Sequence, residues 1–151
     1  TNYDRELIVA QGIPAGKVFT VYNGVDTRIF EAAQAFRQLV RKEFGIADSD
    51  VLIGFVARMV PQKGHLDFLR ALRRAKSEVP SVRVLMVGDA VWKREEFESY
   101  KQRVLDTIHE LDLSDSVILA GYREDIPAIM NAIFALTGER IRTLPLVRAP
   151  V

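Results

Sequence analysis

The feature that most restricts the fold of this chain is an alternation of apolar runs with amphipathic helical stretches. Residues 51–57 and 82–87 are almost entirely apolar, as expected for strands that are buried on both faces. A stretch with the apolar spacing of a helix follows each run, at residues 64–79 and 92–111. Strands that alternate with helices form a parallel sheet with right-handed crossovers. The sequence therefore predicts an α/β domain with a parallel sheet and helices on both faces.

Further elements are expected on either side of this central pattern. Gly12 and Gly45 mark the ends of two helices, and Pro127 lies in the first turn of another, where proline is tolerated. In the second of these helices, Phe36 and Val40 share one face with Leu39 and Phe44. Helices are predicted at residues 1–11, 31–44 and 125–132, and strands at residues 18–22, 116–120 and 133–136.

Two cations stand where the first buried strand is connected to the following helix. They are Arg58 and Lys63, and the helix begins at Gly64. The N-terminus of a helix presents free N–H groups and the positive end of the helix dipole. An arginine adds a planar fork suited to phosphate oxygens, and a lysine adds a mobile point charge. The pattern is typical of a diphosphate site, although both cations could instead be solvated or pair with Asp67 and Asp89.

Polar and glycine residues also follow the second and third strands. Gly88 and Asp89 follow one of them, and Gly121 and Tyr122 follow the other. Because ligands of open parallel sheets bind beyond the carboxyl ends of the strands, we expect these residues to gather near Arg58. The phosphate-binding patterns G-x-x-x-x-G-K-[ST] and G-x-G-x-x-G are both absent, which argues against a P-loop or a dinucleotide site.

Four stretches of the chain occur in the same order as in the retaining glycosyltransferases of family 4, which the chain resembles. They are GIPAGKVFTVYNGVDTRIF, IGFVARMVPQKGHLDFLRAL, VRVLMVGD and VILAGYREDIPAIMNA. Members of that family are GT-B enzymes with two Rossmann-like domains. The resemblance implies that this chain is the C-terminal, Rossmann-like half, which binds a nucleoside diphosphate sugar. It further implies a parent enzyme that transfers the glycosyl group to a hydroxyl acceptor.

The resemblance also implies roles for individual residues. As catalytic groups it implies Arg58 and Lys63, which would contact the diphosphate and neutralise the charge that builds up as it leaves. The residues implied to bind substrate are Gly64, Gly88, Asp89, Gly121 and Tyr122. No metal and no other cofactor is implied, because protein cations and the helix end can replace a metal ion.

The C-terminal part of the chain departs from the pattern of that family. After the position of Asn131 the family continues through a strand into an E-x(7)-E motif, whose glutamates face the donor sugar and the ribose. Here the residue eight places after Glu139 is Val147, so the motif is absent. We therefore expect the chain to be truncated or altered after about residue 132.

The resemblance divides the chain into two parts. Residues 1–30 resemble the last part of the N-terminal domain and the linker, and residues 31–151 resemble the donor-binding domain. The acceptor-binding domain would be a missing partner, so we expect the isolated chain to lack transferase activity. Uncovered apolar surface would favour self-association. A GT-B epimerase or phosphorylase fragment, and a non-catalytic binding module, are the alternatives.

Composition and charge narrow the set of partners. A net charge of +1 gives no basic excess with which to grip nucleic acid. The absence of cysteine removes disulfides and thiolate metal sites, and with it we expect a cytoplasmic location. A cluster of cations on one helix is most simply a solvated face, with a partner or a peripheral membrane contact of the parent protein as the alternative. It consists of Arg70, Arg73, Arg74 and Lys76. His65 is expected to be a partly exposed residue of a first helical turn.

Overall fold

The computed structural model describes residues 1–22, 24, 26–32, 36–90 and 95–133. Within these ranges the chain forms helices and one parallel sheet, joined in places by short 3-10 turns. None of the described helices is both long enough and apolar enough to cross a membrane. The elements are α1 Asn2–Ala10, α2 Thr27–Ala32, α3 Arg37–Glu43, β1 Val51–Val56, α4 His65–Glu78, β2 Val82–Val87, α5 Glu95–Glu110, β3 Val117–Gly121 and α6 Ile126–Ile133.

The sheet contains β1, β2 and β3 side by side in chain order, and all pairs are parallel. Val51 pairs with Val82, and Val84 pairs with Val117. The α4 and α5 crossovers connect neighbouring strands, as parallel pairing requires. The predicted α/β class with a parallel sheet is confirmed.

The central strand β2 is buried on both faces. Val82, Val84 and Met86 pack in a core with residues of α4 and α5. Leu85 and Val87 pack in a second core with residues of α3 and α6. Because side chains alternate along a strand, one apolar run supplies both cores. Helices on both faces of the sheet are therefore confirmed as well.

A buried arginine of α3 links this helix to the end of α6 and to the residues before β1. Arg41 is 2% exposed, and its guanidinium donates hydrogen bonds to three backbone carbonyls. Two of them are Ala132 near the end of α6 and Asp50 before β1, each at 3.2 Å, and the third is Ala47. The last carbonyls of a helix have no partner within the helix, so Arg41 satisfies one that α6 would leave buried.

The predicted strand at residues 18–22 is wrong. This stretch has no regular structure, and Phe19 and Val21 are more than four-fifths exposed. Arg5 of α1 donates instead to the carbonyls of Val18 (3.0 Å) and Ala15 (3.2 Å). A strand needs a neighbour to pair its backbone groups, and no strand in the described part of the chain lies alongside it.

Two further boundaries differ from the predicted ones. Ile133 is the last residue of α6 and not the start of a strand, and residues 134–136 lie outside the described ranges. The helix predicted at 31–44 corresponds to the end of α2 and to α3, with residues 33–35 not described. Of the residues predicted to share one face of this helix, Val40 is buried, whereas Phe36 and Leu39 are more than half exposed.

Candidate functional site

The connections that follow the three strands are hydrogen-bonded to one another at one edge of the sheet. The N–H of Met59 donates to the carbonyl of Asp89 at 3.0 Å, which joins the β1 and β2 connections. The N–H of Gly88 donates to the carbonyl of Gly121 at 2.8 Å, which joins the β2 and β3 connections. The structure thus brings the predicted residues of all three connections to a single edge. Their binding roles remain predictions.

The connection between β1 and α4 is anchored by apolar residues and presents its cations outward. Met59 and Val60 are buried, at 3% and 6% exposure. The N–H of Lys63 donates to the carbonyl of Val60 at 3.0 Å and closes a tight turn. Arg58 and Lys63 are both exposed. The buried pair therefore fixes the loop while the two charged side chains reach solvent.

The N-terminus of α4 lies at the end of this connection. Gly64 precedes the helix in the left-handed conformation, with φ of 71°, which glycine adopts without steric cost. In the part of the chain that the structure describes, no side chain caps this end. The first-turn N–H groups of a helix point away from its body and carry positive partial charge. The loop therefore places two cations beside a helix end that can accept an anion.

The two carboxylates considered as partners for Arg58 and Lys63 have other ion partners. Asp89 pairs with Lys101 of α5 at 2.6 Å, and Asp67 pairs with Arg70 at 2.8 Å. Partial burial acts to raise the pKa of Asp89, but the Lys101 ammonium and the Ala90 N–H outweigh it and hold that pKa below its ordinary value. Asp89 is thus an ionised group whose charge Lys101 offsets.

Gly88 is required by packing at this edge. Its φ of 126° is a conformation that residues with a side chain rarely adopt. A Cβ at this position would overlap the carbonyl oxygen of Ala57 and lie 2.7 Å from its carbonyl carbon. The close approach of these two backbones permits the connections after β1 and β2 to run side by side.

The connection after β3 contains an exposed ring beside a clamped arginine. Gly121 is left-handed with φ of 65°, and the next residue, Tyr122, is 71% exposed. Arg123 pairs with Asp125 two residues later and with Glu43 at the end of α3. These two carboxylates, Asp125 first, raise the pKa of Arg123 further above its usual range. The sequence places Arg123 after the third strand but does not predict its pairing with Glu43, which lies 80 positions earlier in the chain.

Residues 36–146 match the protein family described as glycosyl transferases group 1. This match spans well over half of the chain. The chain belongs to this family. The connections at the carboxyl edge are therefore those of a group 1 glycosyltransferase domain.

Two curated relatives of this group 1 domain come from enteric bacteria. One is the Escherichia coli UDP-Gal:alpha-D-GlcNAc-diphosphoundecaprenol alpha-1,3-galactosyltransferase, 26% identical over 134 residues, or 87% of this chain and 33% of the relative. Another is the lipopolysaccharide 1,2-N-acetylglucosaminetransferase of Salmonella typhimurium, 25% identical over 114 residues, or 75% and 29%. The chain thus spans about a third of the length of the curated relatives it matches.

Solved structures of similar architecture include complexes with nucleotides. Anabaena Alr3699/HepE in complex with UDP superposes with a TM-score of 0.76 at 26% identity, over 87% of this chain and 34% of that one. The same protein in complex with UDP-glucose gives an equal TM-score. A glycosyltransferase from Rickettsia africae gives 0.75 at 23% identity, which supports the fold alone. The parallel α/β architecture of this group 1 domain matches that of GT-B glycosyltransferases.

His65 of the group 1 domain is fully buried, so the prediction of a partly exposed residue is wrong. Its ring lies 4.6 Å from that of Phe55 and 5.9 Å from that of Tyr100, measured between centroids. Among the described residues neither ring nitrogen has a hydrogen-bond partner. Burial lowers the pKa of His65, because the charged form loses its hydration. The helix turns this first residue into the core, beneath the connection that bears Lys63.

We expect His65 to make the group 1 domain sensitive to mild acid. Below a pH of about 6.5 the unfolded chain binds a proton at His65 that the folded chain excludes, so stability falls with pH by up to about 1.4 kcal/mol per unit. The His65→Leu variant should show a shallower loss of unfolding free energy between pH 7 and pH 5. Urea unfolding at each pH measures the unfolding free energy. His109 is exposed, so His109→Gln is the matched control. Equal slopes for His65→Leu and the unsubstituted chain would contradict this expectation.

An apolar cleft of about 430 Å³ lies between α2, α3 and α6 of the group 1 domain, on the side of the sheet that α3 and α6 cover. Ile29, Phe36 and Leu39 contribute its exposed apolar surface. Asp125 and Glu43, the two partners of Arg123, also line it. The cleft is therefore distinct from the edge that carries Arg58 and Lys63, and Arg123 stands between the two.

Proposed function

We propose that this chain is the donor-binding domain of a family 4, retaining glycosyltransferase. The parent enzyme would transfer a glycosyl group from a nucleoside diphosphate sugar to a hydroxyl acceptor. The observation that carries the proposal is the β1–α4 connection, where Arg58 and Lys63 lie exposed beside the uncapped N-terminus of a 14-residue helix. Membership of the group 1 family and glycosyltransferases among the relatives favour it over an epimerase or a phosphorylase.

The chemistry of this edge suits a diphosphate. The guanidinium of Arg58 can hold two phosphate oxygens at once, and the ammonium of Lys63 can follow the charge as it moves to the leaving group. The first turn of α4 after Gly64 adds backbone donors. Binding beside Asp89 is less costly because Lys101 already offsets the carboxylate charge. In this proposal Arg58 and Lys63 are the catalytic groups.

The nucleoside would extend toward the connection after β3. Gly121 and Tyr122 lie there, joined to Gly88 by the backbone hydrogen bond at 2.8 Å. UDP is the nucleotide we propose, because Anabaena Alr3699/HepE is solved with UDP and with UDP-glucose at 26% identity. The ribose and sugar contacts expected of an E-x(7)-E motif are not assigned, since Glu139 and Val147 lie outside the described residues.

The remaining functions belong to the parent protein. Because the chain spans about a third of its relatives, we propose that a separate acceptor domain completes the catalytic cleft. Residues 1–30 as a remnant of that domain and its linker remain a prediction, and so does a truncated or altered tail after about residue 132. The absence of a metal or other cofactor and the cytoplasmic location are also predictions. Transfer requires donor and acceptor held together, so the isolated chain should bind without catalysing.

UDP titration of the 151-residue chain tests the donor site. We expect a dissociation constant of about 1 mM, because the charges are present without a complete nucleoside site. The Lys63→Ala variant should weaken UDP binding by about tenfold and leave uridine binding unchanged, because only the diphosphate reaches the ammonium. The Arg58→Lys variant should also weaken UDP, since an ammonium cannot replace a bidentate fork. NMR shifts along the chain report where UDP binds.

A matched control lies on the same helix. Arg73 is exposed on α4, and the Arg73→Ala variant removes one positive charge without touching the β1–α4 connection. UDP binding should change less than twofold in this variant, apart from a general effect that salt screens. Shifts that cluster around Arg73 and Glu95 while Arg58, Lys63 and Gly64 stay unperturbed would overturn the donor-site proposal.

A further inference from the structure

Arg123 is paired with Glu43, the last residue of α3, and with Asp125, just before α6. Its Nε donates to Asp125 Oδ1 at 2.8 Å and its Nη2 to Asp125 Oδ2 at 2.7 Å. Its Nη1 donates to Glu43 Oε1 at 2.5 Å and its Nη2 to Glu43 Oε2 at 3.1 Å. The guanidinium also lies 5.4 Å from the ring centroid of Phe44. Two bidentate pairs and an aromatic contact hold the planar group in one orientation.

The Arg123 clamp, formed by Arg123 with Asp125 and Glu43, joins three elements that are distant in the chain. Glu43 is the last residue of α3, and Asp125 immediately precedes α6, where its carbonyl accepts from Ala128 at 3.0 Å. Arg123 itself follows β3. Only a quarter of the Arg123 side chain is exposed, so solvent screens these pairs less than it would a fully exposed pair. The start of α6, the end of α3 and the end of β3 are thus fixed to one another.

Tyr122 stands between two fixed points of the backbone. On one side Gly121 accepts the hydrogen bond from Gly88 and takes the left-handed conformation. On the other side Arg123 is clamped to Glu43 and Asp125. Tyr122 is nevertheless 71% exposed, at the edge that also carries the β1–α4 connection. The backbone is therefore held in place while the ring remains available to a ligand.

We propose that Arg123 is a positioning residue that fixes the backbone of Tyr122, so that the exposed ring is available to the planar base of the donor nucleotide. The inference rests on the proposed donor site and adds to it a residue that touches neither diphosphate nor base. A ring whose backbone is already fixed loses less conformational freedom when a base stacks on it, so binding is stronger. Stacking of a base on an aromatic side chain tolerates any base, because every base has a π-face.

The experiment compares UDP with inorganic pyrophosphate on the 151-residue chain. Arg123→Gln should weaken UDP by about tenfold and change pyrophosphate less than twofold, because pyrophosphate has no base. Tyr122→Ala should likewise weaken UDP binding and leave pyrophosphate binding nearly unchanged. When Arg123→Gln and Tyr122→Ala are combined, the loss of UDP affinity should not exceed that of Tyr122→Ala alone, because Arg123 acts through Tyr122. Arg123→Lys should fail to restore UDP binding, since it cannot form two forks.

A milder variant keeps the test decisive if Arg123→Gln does not fold. Glu43→Gln removes the charge of the α3 anchor and leaves the pair of Arg123 with Asp125 intact. It should weaken UDP by a smaller factor, again without affecting pyrophosphate. Exposed Glu124 lies beside the clamp and forms no part of it, so Glu124→Gln is the matched control and should leave both probes unchanged.

The outcomes separate this inference from the donor-site proposal. Equal weakening of UDP and pyrophosphate, or additive losses for Arg123→Gln and Tyr122→Ala, would overturn the positioning role while the donor site stands. A wild-type chain that binds neither probe at millimolar concentration would overturn both proposals. Without ligand, faster hydrogen exchange of the Gly88 amide, which donates to the Gly121 carbonyl, in Arg123→Gln supports the inference, and an unchanged rate contradicts it.

Discussion

Gly88→Ala is expected to destabilise the folded chain by at least about 3 kcal/mol, enough to leave a marginally stable domain largely unfolded. The added Cβ would overlap the carbonyl oxygen of Ala57, a backbone atom that cannot rotate away. The positive φ of 126° adds conformational strain. To relieve the overlap, the ends of β1 and β2 would have to separate, which disrupts the edge that carries the candidate site.

Gly64→Ala is the matched control, because it shares the positive φ without the contact. Its φ is 71°, and a Cβ there would meet no atom within 4 Å. We expect a loss of only about 1–2 kcal/mol, the cost of a left-handed residue with a side chain. Urea unfolding followed by circular dichroism measures both variants. If the two lose the same free energy of unfolding, the close approach at Gly88 contributes nothing and its conformation alone explains the glycine.

Arg41→Met is expected to lower the free energy of unfolding by about 2–3 kcal/mol. The methionine fills most of the volume of the arginine but donates no hydrogen bond. The buried carbonyl of Ala132 would then lose its guanidinium donor, as would the less buried carbonyls of Ala47 and Asp50, of which Ala47 keeps the N–H of Asp50. A buried acceptor without a partner costs the full desolvation of that group. The loss should be accompanied by loosening of the C-terminal end of α6 against the sheet.

Lys42→Met supplies the control on the neighbouring position of α3. Lys42 is exposed, so its replacement removes a positive charge and adds the same side chain without disturbing a buried contact. We expect a change within about 0.5 kcal/mol. Chemical denaturation of both variants at pH 7 gives the comparison, and hydrogen exchange of the α6 amides reports the local effect. A loss for Arg41→Met no larger than that for Lys42→Met would refute the role of Arg41 as a buried anchor.

The parallel α/β architecture and the edge at which the candidate site lies could both be predicted from the order of apolar runs and helices in the sequence. The apolar run at residues 82–87 coincides with β2, because a strand buried on both faces must be apolar at every position. The order of strands and crossovers then requires all three strand ends to meet at one edge, which is where Arg58, Gly88 and Gly121 lie. Local patterns and chain order suffice for these conclusions.

Which polar side chains are buried and which are paired could not be predicted from the sequence, because both depend on contacts made in the folded chain. From the sequence, His65 is predicted to be a partly exposed first-turn residue, yet the path of α4 places it next to Phe55 and Tyr100. The clamp of Arg123 on Glu43 joins residues 80 positions apart, a separation at which no local pattern specifies a partner. The strand expected at residues 18–22 did not form, since a strand depends on a neighbour and not on its own composition. Burial and pairing are properties of contacts between distant parts of the chain, and the fold alone brings those parts together.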